Sequence, residues 1–156
     1  MRRHTVTKVL PYQPQQLFEM VGDIARYPEF VPWLNHMRTW NSQALELGVT
    51  SIDAEAGVGI SIFKERFSTR VIRDPNNRQI TVTLINGPFR ALKNQWLFRE
   101  HAQGTRIEFS IDFEFKSRLL DAFLAANMDR AIDKLIACFE ARARALYGEA
   151  PVTQQV

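Results

Sequence analysis

The chain has 156 residues, 46% of them hydrophobic and 24% charged, the balance of one ordinary globular domain with room for a real core. A net charge of +3 makes the surface mildly basic, a background field and not a recognition site, so DNA is not an expected partner. The single cysteine, Cys138, excludes an internal disulfide and suits a reducing compartment. No stretch approaches the roughly 20 apolar residues of a spanning helix. Met1-Arg2-Arg3 is not followed by the apolar core of a secretion signal. The expected location is cytoplasmic, with any membrane contact peripheral and at the inner membrane.

Residues 4–10 read as a β-branched strand, broken by Pro11 and Pro14. Leu17, Phe18, Met20 and Val21 give the next segment the apolar side of a short helix, which Gly22-Asp23 ends. Residues 26–33 carry Pro28 and Pro32, so at most one helical turn is expected there before extended chain. Six strands follow over residues 37–44, 49–57, 60–72, 79–85, 92–100 and 105–115. Turn signals separate them, among them Gly57-Val58-Gly59 and Asn86-Gly87-Pro88. Such short connections imply antiparallel neighbours. The last strand is the clearest: Ile107, Phe109, Ile111, Phe113 and Phe115 alternate with Arg106, Glu108, Ser110, Asp112 and Glu114, which buries one face and wets the other. From 118 to 147 the spacing turns helical, with Leu120, Leu124, Met128, Ile132, Leu135 and Phe139 on one stripe. An unbroken helix there would run roughly 45 Å at 1.5 Å per residue.

This order predicts an α+β helix-grip fold: a seven-stranded curved antiparallel sheet wrapped around one long C-terminal helix, with two short helices after the first strand. Residues 1–148 form a single ligand-binding domain and 149–156 a flexible tail. A sheet gripping a helix encloses a channel between them. Phe63, Phe67, Leu84, Trp96, Phe98, Phe109 and Phe113 are the sheet residues expected to wall it, and Leu124, Met128 and Leu135 the helix residues. Such a wall suits a greasy ligand. Each aromatic taken alone reads as a core residue; the cavity is a collective inference from the architecture.

Catalytic signatures are missing. Gly57-x-Gly59 lacks the third glycine of a dinucleotide loop, and His4, His36 and His101 are too dispersed for metal-ligand spacing. No Gly-x-Ser-x-Gly elbow occurs. The expectation is a protein that is not an enzyme and needs no metal or cofactor. Glu65 stands out because it shares a strand face with Phe63 and Phe67, which turns it inward. Three roles stay open for it: an anchor for a ligand headgroup, an acid or base, or a structural carboxylate paired with a rim arginine or exposed by a bulge. Asn94 shares a face with Trp96 and Phe98 and is a second candidate anchor. Phe89 beside Arg90 at a hairpin tip, and Phe30 and Trp33 in a proline-stiffened loop, are candidates for a bilayer-facing mouth. They are equally able to fold back and plug the end of the sheet.

Tyr12-Gln13-Pro14-Gln15-Gln16-Leu17-Phe18 and Tyr27-Pro28-Glu29-Phe30-Val31-Pro32-Trp33 resemble the opening of the coenzyme Q-binding family, within the START-like, polyketide cyclase-related superfamily. Phe63-Lys64-Glu65-Arg66-Phe67, Asn86-Gly87-Pro88-Phe89-Arg90-Ala91-Leu92, Trp96-x-Phe98 and Phe113-Glu114-Phe115-Lys116-Ser117 extend the likeness across residues 4–145. One departure is Phe67, where Tyr is the commoner form. The resemblance implies a non-enzymatic carrier that holds ubiquinone or a related polyprenyl quinone between sheet and helix, supporting respiration or quinone biosynthesis. Similar bacterial proteins are described as toxins that block ribosomal subunit association. That makes the ribosome an alternative partner, met by Arg66, Arg70, Arg90, Lys93 and Arg99, although these cations are spread among acids. An aromatase/cyclase-type enzyme built on Glu65 is the third reading.

Overall fold

The alternating run at residues 105–115 lies inside a strand that pairs with two neighbours, and the whole sheet follows from it. In the computed structural model, which describes residues 2–60 and 63–149, that strand is β7 (Gly104–Phe115). It is preceded by β1 (Arg2–Leu10), α1 (Pro14–Gly22), a 3₁₀ segment (Ile24–Glu29), β2 (Leu34–Ala44), β3 (Thr50–Ile60), β4 (Phe63–Asp74), β5 (Gln79–Asn86) and β6 (Phe89–His101). Two helices follow, α2 (Arg118–Ala125) and α3 (Met128–Tyr147). The seven strands form one antiparallel sheet in the order β1-β7-β6-β5-β4-β3-β2. Together with the short helices after β1, this is the expected helix-grip architecture.

Register places the inward side chains on one surface. Phe109 of β7 faces Trp96 of β6, which in turn faces Ile80 of β5. Further along, Val71 of β4 lies opposite Val82 of β5 and Ile52 of β3. Ile80 and Val71 are almost wholly buried. Lys64, Arg66 and Arg70 point to the wet, convex side. Helix α1 begins at Pro14, where the missing N–H costs nothing. Gln13 and Gln16 close a reciprocal capping box around it.

Two expectations need correction. Gly57-Val58-Gly59 is not a turn: β3 runs through it to Ile60, and β4 begins at Phe63. The glycines serve a close approach instead. A Cβ on Gly57 would lie 2.7 Å from Asn35 Oδ1 and 2.8 Å from His36 Cβ, and Gly59 N–H donates to Trp33 O at 2.9 Å. The start of β2 thus lies directly against the end of β3.

The C-terminal helix is also broken. Asn127 leaves the helical basin (φ −118°, ψ 2°), and its side-chain amide donates to Phe123 O at 2.9 Å. Its backbone N–H bonds Leu124 O instead, one residue short of the α-helical pattern. A local side-chain bond has competed with the helix and won. The unbroken rod is therefore an 8-residue helix followed by a 20-residue one, the latter about 30 Å long. The anticipated tail falls mostly on residues 150–156, which lie outside the described residues.

Gly104 opens β7 at φ +129°, and a Cβ there would collide with Leu10 O, Tyr12 N at 2.9 Å and Pro11 Cα at 3.0 Å. We expect Gly104→Ala to cost at least about 2 kcal/mol, because backbone strain and a clash with main chain combine. A urea midpoint unchanged from the parent would refute this.

Candidate functional site

Beneath the helices the interior divides into two apolar clusters with different packing. Under α3 the space is filled by rings. Phe139 (2% exposed) meets Trp96 at 5.0 Å, Phe30 at 5.1 Å and Tyr27 at 5.2 Å, all edge-on, and Trp96 meets Phe109 at 4.8 Å. Tyr27 donates its hydroxyl to Val21 O, and burial pushes its pKa up, beyond reach of physiological pH. Asn94 is occupied here: it accepts from Trp96 Nε1 at 3.0 Å and donates to Ser110 O at 2.8 Å. Its geometry is that of a brace for the indole.

Under α2 the packing is looser. Phe63, Phe89, Phe113 and Phe115 are buried, with Phe89 and Phe115 4.5 Å apart. Around them Phe67, Leu84, Leu92, Ile111, Leu124 and Met128 are only half-buried. Helix α2 has no buried side chain at all; Leu120 and Leu124 rest on the cluster while Leu119 and Phe123 face outward. Glu65 sits on the inward face of β4 between Phe63 and Phe67, opposite Val58 of β3. It is half-buried and takes no hydrogen bond or ion pair from any described residue. The rim-arginine pairing considered for it is thus not formed with a described residue.

The sequence-derived set is accordingly split. Phe63, Glu65, Phe67, Leu84, Phe113, Leu124 and Met128 gather under α2. Trp96, Phe98, Phe109 and Leu135 belong to the filled half under α3. Phe89 does not stand at an exposed tip: it is 8% exposed and packs on Phe67 and Phe115, so it walls the interior while Arg90 remains outside. Phe30 folds back onto Phe139, with the Arg142 guanidinium 5.0 Å from its ring centre. Trp33 is half-buried beside the β3 edge. Phe115, Leu92 and Ile111 were missing from the set although period-two alternation places all three on the inward face.

Two clefts open to solvent, one of them at Glu65. One of about 280 Å³ lies against Asn35, Val58, Glu65 and Arg66; the other, of about 390 Å³, lies at the far end of the sheet between Phe18, Gly22, Thr50 and Arg73. No residue of α2 or α3 lines either of them. Among the described residues no three His, Cys, Asp or Glu side chains gather into a metal-binding group, and no helix is long and apolar enough to cross a membrane.

One ion pair also ties α2 to the edge strand. Arg2 of β1 donates from Nε and Nη2 to Asp121 Oδ2, at 3.1 and 2.9 Å. Further along β1, His4 meets Asp129 at 2.8 Å and Lys8 pairs with Glu140, which fixes α3. The Arg2 hydrogen bond holds the Asp121 carboxyl below the usual carboxylate range, assisted by the Phe115 N–H. A lowered pKa means the latch is intact above the ordinary aspartate value and is lost as pH falls through the lowered one. The window is acidic, below about pH 4. Asp121→Asn is expected to raise amide exchange throughout α2 at neutral pH and leave α3 protected. Equal exchange in parent and variant would show that the latch has no effect.

A curved antiparallel sheet of this order, closed by a C-terminal helix and apolar between, is the START-like helix-grip fold. The chain belongs to the family described as polyketide cyclase / dehydrase and lipid transport, which it matches over residues 10–140. It is 35% identical, over 88% of its length and 93% of the relative's, to the ribosome association toxin RatA of Rickettsia prowazekii. It is 28% identical to the mitochondrial coenzyme Q-binding protein COQ10 homolog B of Xenopus laevis, covering 96% of this chain and 61% of that one. Among solved structures, an 18 kDa protein of Caulobacter crescentus is 58% identical with a TM-score of 0.82, covering 96% of this chain and all of the other. The Zhui aromatase/cyclase of Streptomyces sp. R1128, 17% identical at a TM-score of 0.71 and covering 92% and 94% of the two chains, shares the fold.

Proposed function

We propose that this protein binds a polyprenyl quinone such as ubiquinone beneath α2 and carries it without catalysing a reaction, in support of respiratory electron transport or quinone biosynthesis. One observation carries the reading: half-buried apolar side chains ring four buried phenylalanines under a helix that buries none of its own. Such a helix can lift without drawing a fully buried side chain of its own out of the core, and a bound prenyl chain would cover the phenylalanines it leaves. The prenyl carbons would then lie between Leu124 of the lifted helix and Phe67, Leu84 and Leu92 of the sheet, at about 25 cal/mol per Å² of area removed from water. Glu65 is the polar group beside that wall. An ionised carboxylate accepts and does not donate, so it suits the hydroxyls of the reduced, quinol headgroup. The coenzyme Q-binding relative supports the ligand class. Organic extraction of the purified protein and mass spectrometry should reveal a bound polyprenyl quinone. Protein that stays empty even when offered quinone in micelles rejects the proposal.

A second reading, contact with the ribosome, is supported by the relatives named as ribosome association toxins and by one surface feature. On the convex face of β2 the Arg38 guanidinium lies 4.5 Å over the Trp40 ring, with Arg66 and Arg70 two strands away. Cosedimentation with ribosomal subunits that weakens with salt would favour it. Its absence at low salt dismisses it. The cyclase reading needs Glu65 as an acid or base, and full activity of Glu65→Gln in cells would remove its best residue.

A further inference from the structure

The outward side of α2 has no partner in the fold. Leu119 is 84% exposed and Phe123, one turn on, is 41% exposed, with Ala122 and Ala126 also exposed beside them. The helix is thus apolar on two sides: Leu120 and Leu124 look into the molecule, Leu119 and Phe123 away from it. Ordinary surface helices present charge on that side. The neighbouring hairpin adds to the patch, since Lys116 N–H donates to Pro88 O at 2.9 Å and Ile85, shortly before that turn, is 44% exposed.

Exposed cations border the patch, alongside the half-buried Glu114 of β7 and Asp129, which meets His4. Arg90, Lys116 and Arg118 are exposed and make no ion pair with a described residue, and neither does Lys64 at the start of β4. The acid of α2, Asp121, is already held by Arg2. At the opposite end of the sheet, by contrast, Arg78, Arg99 and Arg106 are all paired with glutamates. Free cations and free apolar side chains therefore coincide at one end of the molecule.

We infer that this end, formed by α2 and the β5–β6 turn, docks on an anionic phospholipid bilayer, with Leu119 and Phe123 inserted at the interface and Arg90, Lys116 and Arg118 against the headgroups. Two apolar residues are too few for stable anchoring alone, so the cations and the insertion act together and contact is reversible. Docking would also draw α2 away from the phenylalanine cluster, since the bilayer offers its apolar side chains an alternative to the interior. The inference rests on the carrier reading only for that last consequence; the docking itself needs no ligand.

The test is flotation of the full chain, free of quinone, with vesicles of phosphatidylcholine alone or of phosphatidylcholine and phosphatidylglycerol in equal parts. The parent should float with the anionic vesicles and not with the neutral ones, and high salt should release it. Leu119→Ser/Phe123→Ser should lower partitioning more than about tenfold. Lys116→Glu/Arg118→Glu should lower it at least about fivefold per charge removed. All four side chains are exposed or largely so, and unchanged circular dichroism verifies that the variants are folded. Parent protein that ignores anionic vesicles overturns the inference. So does a patch that instead buries itself in a dimer, or variants that float as the parent does. Quinone uptake from micelles, measured in the same variants, separates the two proposals: uptake retained with flotation lost supports docking, while uptake absent in the parent rejects the carrier reading and leaves the docking result standing.

Discussion

Phe139→Ala is expected to destabilise the protein by about 3–5 kcal/mol, read as a lowered urea midpoint. Phe139 is 2% exposed and touches Trp96, Tyr27 and Phe30 at once, so removing its ring leaves a cavity bounded by three aromatic rings, with Trp96 and Tyr27 further fixed by hydrogen bonds. Those rings cannot collapse into the gap without giving up their own partners. Leu120→Ala provides the contrast. Leu120 is half-buried on a helix with no buried side chain, and its loss should cost about 1 kcal/mol or less. If both substitutions cost the same, the division of the interior into a filled and a loose half is wrong.

The second large effect is on ligand retention. Leu124→Glu is expected to reduce quinone binding by at least about tenfold, because it removes a leucine's apolar area and sets a charge in its place. Stability should change little, since Leu124 is half-buried and the carboxylate can turn to solvent when the site is empty. Leu135→Glu, on the helix over the filled half, should instead lower stability while the remaining folded protein still binds. Measuring quinone carried through gel filtration, together with the thermal midpoint, distinguishes the two. Unimpaired binding in Leu124→Glu would count against a ligand beneath α2.

Much of this architecture could be read from side-chain periodicity, because the sheet's inner and outer faces impose it residue by residue. The run from Ile107 to Phe115 is the clearest instance: Phe109 faces Trp96 and Phe113 faces Leu92, while Ile111 lies opposite Asn94. What could not be read depends on contacts between segments distant in sequence. Gly57 and Gly59 look like a turn until Trp33 and Asn35 are found lying against them. The long helix looks continuous because Asn127 is tolerated in helices; only its bond to Phe123 O shows where the chain breaks. Phe89 looks like a loop tip because its neighbours are Gly87, Pro88 and Arg90, yet the hairpin bends far enough to turn its ring onto Phe115. Alternation puts Asn94 on the face of Trp96, but it does not reveal that the amide is occupied by the Trp96 indole and Ser110 O.

The pairing of β1 with β7 also governs how the chain comes to be assembled. Residues 2–10 find their partners at 105–113, so this edge cannot close until most of the polypeptide exists. Contacts so distant along the chain are slow to form, since a long loop must be ordered before any bond rewards it. During synthesis the amino-terminal segment waits, with its strand edge unpaired, while the hairpins from β2 to β7 form locally. A chain stalled before residue 105 would leave that segment open to wrong partners.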